Sequence, residues 1–168
     1  MAPMASGKLN DIARTVDQHG SKVLERSECM RLLARTAKEK GVGRLGINLA
    51  DGPHIAPVNF SVSEGEVIVR LGPGHLSAHL DDAKVAFEID HAEAYSRRGW
   101  SVLVRGVAHL LAEKEAIALG RSRPVSFVTR PGLQVFSIGA DIVSGRAVHA
   151  EDLAIDAYRT AMSTWILD

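Results

Sequence analysis

The stretch Val42–Leu71, VGRLGINLADGPHIAPVNFSVSEGEVIVRL, decides the fold. Leu45, Ile47 and Leu49 share one face of a period-two segment, with Arg44 and Asn48 on the other, the alternation of a half-buried strand. Asp51-Gly52-Pro53 turns the chain, and Ala56, Val58, Phe60 and Val62 then alternate along a second strand. Glu64-Gly65 turns it again into EVIVRL. Strands joined by turns this short pair antiparallel, because a parallel pair needs a crossover of a dozen or more residues. A meander is predicted, and a parallel βαβ fold is disfavoured.

The pattern extends in both directions. Upstream, RSECMRLLARTAKEKG reads as a helix, with Ser27 as N-cap, Met30, Leu33, Ala34 and Ala37 as the apolar stripe, and Gly41 closing it. Downstream, SAHLDDA reads as about two helical turns. KVAFEID points Val85, Phe87 and Ile89 inward, and the polar segment HAEAYSRRG links it to the long strand WSVLVRGVAHLL. A helical piece over Glu113–Gly120, a loop holding Pro124 and Pro131, and a last strand LQVFSI follow. From Glu151, the residues Leu153, Ala154, Ala157, Ala161, Met162 and Trp165 fit an amphipathic helix. The fold class is therefore mainly β with flanking helices, about six strands, for which a closed or split barrel removes exposed edges. The expected organisation is an arm over 1–24, a barrel over 25–150 and a C-terminal helix over 151–168 packed on the barrel or on a dimer.

Composition narrows the function. The 168 residues suit one domain with a real core. Lys plus Arg and Asp plus Glu both number 20, giving a net charge of +0. This excludes the basic excess of a nucleic-acid binder. Cys29 is the single cysteine, so no intrachain disulfide forms, and its place on the apolar side of the helix predicts a buried thiol. No apolar run approaches the roughly 20 residues of a membrane span, and the first twenty residues lack a signal-like apolar core. The expectation is a cytoplasmic protein with no membrane and no nucleic-acid partner.

Several motifs fail on context. GVGRLG, Gly41–Gly46, has the letters of a dinucleotide-binding loop, but it follows a helix and opens a strand, the reverse of what that mechanism needs. A helix end running into a strand is the better reading. His75 and His79 are four residues apart, yet nothing nominates further ligands among Asp81, Asp82 and His91, and no metal site is expected. There is no G-x-S-x-G elbow and no Walker loop. Two features stand out. Pro57 interrupts a strand pattern, which marks an edge or bulge, or a strand whose free backbone groups meet a planar ligand. Gly72-Pro73-Gly74 ahead of a helix start permits close backbone approach to an anion, and is also simply a turn.

In order, ECMRLL, VGRLGI, PVNF, VRLGPG, VAFEID, GWSVLVRG and IVSGRA resemble the landmarks of the pyridoxamine 5'-phosphate oxidase-like flavin-binding split barrels, from about Ser27 to Arg146. The resemblance implies a six-stranded antiparallel split barrel that dimerises and holds FMN at the subunit interface. Pro57, Val58, Asn59 and Phe60 would run beside the flavin ring. Gly74, His75 and Ser77 would face the phosphate, Arg70 would supply charge there, and Trp100 and Ser101 would open a strand near the cofactor. The family's Gly-Thr-Lys-Leu loop reads Gly74-His75-Leu76-Ser77, so Leu76 stands where a phosphate-pairing lysine is usual. His75, His79, Arg70, Arg44, or Arg97 and Arg98 from a partner subunit are the candidate replacements. The true oxidase's C-terminal Arg-x-His is missing, and VFSIGA stands there instead.

The resemblance implies a flavin-dependent oxidoreductase acting on a small-molecule substrate that the sequence does not name. The alternative is a non-catalytic flavin, deazaflavin or haem-binding module on the same dimeric barrel, with His75 or His79 as axial ligand. A third reading is a barrel kept as a scaffold after losing its ligand. No catalytic side chain is nominated.

Overall fold

A computed structural model describes residues 21–39, 41–93, 95–125 and 131–148. Eight strands are present among them: β1 (Lys22–Leu24), β2 (Val42–Leu49), β3 (Gly52–Ser63), β4 (Glu66–Leu71), β5 (Lys84–Glu93), β6 (Arg98–Leu110), β7 (Gln134–Ile138) and β8 (Ile142–Val148). Three helices accompany them, α1 (Arg26–Lys38), α2 (His75–Ala78) and α3 (Glu113–Ala118), with a 3-10 turn at Gly120–Ser122. Residues 1–20 of the expected arm over 1–24, the helix from Glu151 and part of the proline loop lie outside the described residues, and Lys22–Leu24 of that arm form β1.

The meander forms as its alternation requires. Strand β2 pairs β3 antiparallel from Val42 opposite Asn59 to Leu49 opposite Gly52, leaving a two-residue turn at Ala50-Asp51. Strand β3 pairs β4 from Phe60 opposite Val69 to Ser63 opposite Glu66. The turn between them places Glu64 at φ 51° and Gly65 at φ 83°, the left-handed conformations of a tight hairpin. Hydrogen bonding continues in the order β6-β5-β2-β3-β4-β7, and β7 pairs back onto β6, closing a six-stranded antiparallel barrel.

Inward positions carry the core. Leu45, Val67, Val69, Phe87, Ile89, Val102, Val104, Ala108, Phe136 and Ile138 have no accessible surface. Phe87 meets Phe60 edge to face, with ring centroids 4.9 Å apart. A Cβ at Gly43 would lie 2.1 Å from Phe87 Cζ, so position 43 is open to glycine alone while that ring is in place. Gly106 within β6 and Gly139, just past β7, approach as closely. A Cβ at Gly106 would lie 1.8 Å from the Gly139 carbonyl oxygen, and the Gly139 N–H donates to Val107 O at 3.1 Å.

Helix α1 buries Cys29 and Leu33, as expected for residues on its apolar side. The Gly41 N–H donates to Thr36 O at 2.9 Å, a six-to-one bond that ends the helix. The GVGRLG letters therefore serve a helix end and close strand packing. The helix begins at Arg26, so Ser27 lies inside the first turn and is not its N-cap.

Four other expectations are corrected. The helix predicted over SAHLDDA is the single turn α2. Asp82 has φ 58° and donates its N–H to Ala108 O at 2.8 Å, while the Ala108 N–H donates to Ala83 O at 2.9 Å. The backbone past His79 is thus claimed by β6 and cannot continue the helix. The polar link HAEAYSRRG is shorter than expected, because β5 runs to Glu93 and β6 starts at Arg98, with Arg97 at φ 51° in the turn. The helical piece ends at Ala118, and the Gly120–Ser122 turn succeeds it. The count of six strands omitted β1 and β8, which pair with each other from Lys22 opposite Ala147 to Leu24 opposite Gly145, so LQVFSI (β7) is not the last strand.

The chain divides into two units. Residues 26–89 and 102–144 form the larger, with the barrel core. The described part of the smaller comprises residues 21–25, 90–101 and 145–148, in which His91 stacks on Trp100 with centroids 6.2 Å apart.

Replacing Gly106 by Ala is expected to lower the unfolding free energy by about 1–3 kcal/mol through overpacking against Gly139. Gly46→Ala, whose Cβ would meet nothing nearer than 3.6 Å, is expected to stay within about 0.5 kcal/mol. Urea unfolding of the two variants measures this, and equal midpoints would contradict the close β6–β7 approach.

Candidate functional site

The site follows from the direction of side chains on β3. Val58 and Phe60 point into the core at 4% and 3% exposure. Ile55, Pro57 and Asn59 therefore line the outer face in alternation. Pairing with β4 covers only Phe60–Ser63, so the residues from Gly52 to Asn59 pair with β2 on one side alone. Pro57 sits in this half-paired stretch, where a missing N–H costs no ladder bond on the free side.

An open cleft of about 860 Å³ lies over this face. Its walls include Gly46 and Asn48 of β2, Pro53 and Ile55 of β3, Ala86 of β5, and Gly106 and Val107 of β6. Lys84, Arg105 and Asp141 add charge to a mainly apolar lining. Ile55 is 71% exposed and Ile142 51% exposed. Such a size, with few polar groups on apolar walls, suits a planar organic ligand.

Further along the same outer face, Ser61 hydroxyl donates to the Ser122 carbonyl oxygen. That bond brings the Gly120–Ser122 turn, and Arg123 after it, against β3. Ser61 pairs Ile68, so Arg70, two residues further on β4, lies on the same outer face. Arg70 and Arg123 each hold a buried Nε with no hydrogen-bond partner among the described residues. Burial, and then the charge of Arg123, hold the Arg70 guanidinium below its ordinary range. Asn59, Phe60, Ser61 and Arg123 line a second cleft of about 440 Å³. Arg70 stands opposite Val135, which lines a third, of about 380 Å³, together with Arg123, Glu113 and Ala116.

The eight nominated residues of the larger unit do not all line one of these clefts. Asn59 and Phe60 line the second cleft, beside Arg123, and Arg70 stands on the same outer face. Pro57 is exposed on the outer row, while Val58 offers a ligand only backbone. Ser77 is buried and its hydroxyl is engaged locally, accepting from the Gly74 N–H at 3.0 Å and donating to Gly74 O at 3.1 Å. His75 is exposed, its ring 4.6 Å from that of His79, whose Nδ1 lies 2.8 Å from His75 O. Trp100 and Ser101 belong to the smaller unit. Among the candidate replacements for the missing lysine, Arg44 is engaged by Glu88 at 3.4 Å. Arg123 was missed, because it stands in an aperiodic loop whose only signal is its neighbour Pro124.

One group of potential metal ligands occurs among the described residues: Asp81, Asp82 and His109, all exposed, with ligand atoms within 4.8 Å of one another. Each carboxylate already has a structural partner. Asp81 accepts the Leu110 N–H at 2.8 Å, and Asp82 lies 3.0 Å from His109 Nδ1. No helix among the described residues is long and apolar enough to cross a membrane.

Comparison with known proteins gives a consistent picture. The sequence model of pyridoxamine 5'-phosphate oxidase matches residues 25–147. An uncharacterised protein of Mycobacterium tuberculosis is 33% identical over 137 residues, covering 76% of this chain and 86% of that protein. The solved FAD-binding protein of Mycobacterium smegmatis superposes with a TM-score of 0.63 at 27% identity, covering 76% of this chain and 100% of the other. A FAD- and haem-binding protein of the same organism shares the fold at 16% identity, with a TM-score of 0.55 and 78% of each chain covered.

Asp81→Ala is expected to cost about 1 kcal/mol, the worth of one hydrogen bond to a strand amide. Asp82→Asn, at an exposed contact with His109, is expected to change stability by less than about 0.5 kcal/mol. Chemical denaturation distinguishes the two, and a larger loss at Asp82 would show a role beyond the surface pair.

Proposed function

We propose, since this chain belongs to the pyridoxamine 5'-phosphate oxidase-like family of flavin-binding split barrels, that it is an FMN-binding, flavin-dependent oxidoreductase acting as a homodimer on a small molecule. The observation that carries this reading is the cleft of about 860 Å³ over the outer faces of β2, β3, β5 and β6. Glycines at positions 46 and 106 line it, and residues without side chains let a flat ring approach backbone amides and carbonyls. The half-paired stretch of β3 adds backbone groups for the polar edge of the ring. Proximity to the second cleft leaves room for a phosphate-bearing arm. Along an extended strand of about 3.3 Å per residue, Asn59 stands about 13 Å from Ile55.

A bound flavin supplies the redox chemistry, and the chain's part is to hold and orient it. The exposed Ile55 and Ile142 on the cleft support a second subunit as its cover, since an apolar rim of this kind favours association. The missing Arg-x-His of the true oxidase argues against pyridoxamine phosphate as the substrate. Zero net charge fits a protein without a nucleic-acid partner.

The purified protein, or the protein after incubation with FMN, is expected to show the two-band visible spectrum of an oxidised flavin and to quench the fluorescence of added FMN. A Soret band, or neither quenching nor a thermal shift, would overturn the reading. Leu76→Lys is expected to tighten FMN binding about tenfold by adding one charge-assisted hydrogen bond. Unchanged affinity in the same titration would show that position 76 does not face the phosphate.

A further inference from the structure

Two arginines are brought to one region: Arg70 stands opposite Val135, and Arg123 lines the same cleft as Val135. Arg70 lies on the face of β4 that carries Ile68, which is buried with Ala116 and Val135. Arg123 is brought to the same face by the Ser61–Ser122 hydrogen bond. Each has a buried Nε without a partner, and neither has a carboxylate partner among the described residues. Glu113 lines the adjoining cleft of about 380 Å³, but it is exposed and forms no ion pair with either arginine. A buried, unpartnered donor carries a desolvation penalty, and two like charges add repulsion. Planar guanidiniums presenting several N–H groups match the oxygens of a tetrahedral oxyanion, which would satisfy both costs at once.

We propose that Arg70 and Arg123 form a binding site for a phosphate-type oxyanion on the outer face of β3 and β4, taking over the charge that Leu76 does not supply. The site itself stands on the arrangement of the two arginines. Its assignment to the phosphate of FMN rests on the flavin reading, and a separate phosphate ligand is the other source of the same chemistry. Asn59 adds an amide beside the site, since it precedes Phe60, whose partner Val69 precedes Arg70.

The test compares FMN, riboflavin, which lacks the phosphate, and inorganic pyrophosphate on the full-length wild type, Arg70→Met and Arg123→Met. Flavin affinities come from fluorescence titration and pyrophosphate affinity from calorimetry. If the site holds the cofactor's phosphate, the wild type binds FMN at least tenfold more tightly than riboflavin. Both variants then lose that preference and leave riboflavin affinity unchanged. If it holds a separate ligand, pyrophosphate binds the wild type even at saturating FMN and fails to bind either variant. Pyrophosphate binding that needs both arginines in a protein that takes up no flavin would retain the site and overturn the flavin reading. FMN preferred over riboflavin equally in all three proteins would overturn the site and retain the flavin reading. No pyrophosphate binding together with no phosphate-dependent preference would also overturn it.

Stability gives an independent readout. Removing one of two repelling charges leaves the ligand-free variants melting no lower than the wild type, whereas a purely structural arginine pair would make them melt lower. Should Arg70→Met fail to fold, Arg123→Met, in the loop, carries the same comparisons.

Discussion

The ring of Phe87 occupies the space that any side chain at position 43 would need, and the barrel is organised around that exclusion. With the ring packed edge to face on Phe60, β5 is held against β2 with Leu45 opposite Phe87, and β2 against β3 with Gly43 opposite Val58. A slip of one residue would turn each strand's apolar set outward. Because inward positions are settled by this packing, the outer row Ile55, Pro57 and Asn59 is settled too. The functional surface is the reverse side of the core.

That surface has two parts with different physics. The larger cleft is apolar, glycine-floored and rimmed by a few charges, a place for a flat ring and its polar edge. The other is charged and partly desolvated, where the charge of Arg123 acts on Arg70 and neither has a carboxylate partner among the described residues. Such an arrangement costs stability in the free protein and is recovered when an anion arrives, the familiar exchange of stability for binding. The outer face of β3 joins the two parts.

Alternation in VGRLGINL, PVNFSV and KVAFEID was legible because each residue's environment depends on its own strand. The close approaches at Gly43 and Gly106 were not, since they depend on partners far along the chain. Strand β8 is hidden in the sequence because Ser144 and Gly145 interrupt its apolar pattern, and β1 because three residues show no period. The length of α2 is not legible in the sequence because its end is dictated by hydrogen bonds to Ala108, not by local propensity. At the site, PVNF and Arg70 could be nominated from resemblance, while Arg123 reaches the surface only through a hydrogen bond between Ser61 and Ser122, sixty-one residues apart.

The most direct measurement is a crystal structure of the protein soaked with FMN. The phosphate is expected about 3 Å from Arg70 Nε and from the Arg123 guanidinium, with the ring over the face bearing Ile55 and Gly46. Electron density for the phosphate away from both arginines, or a cleft that takes up no flavin at all, would contradict this.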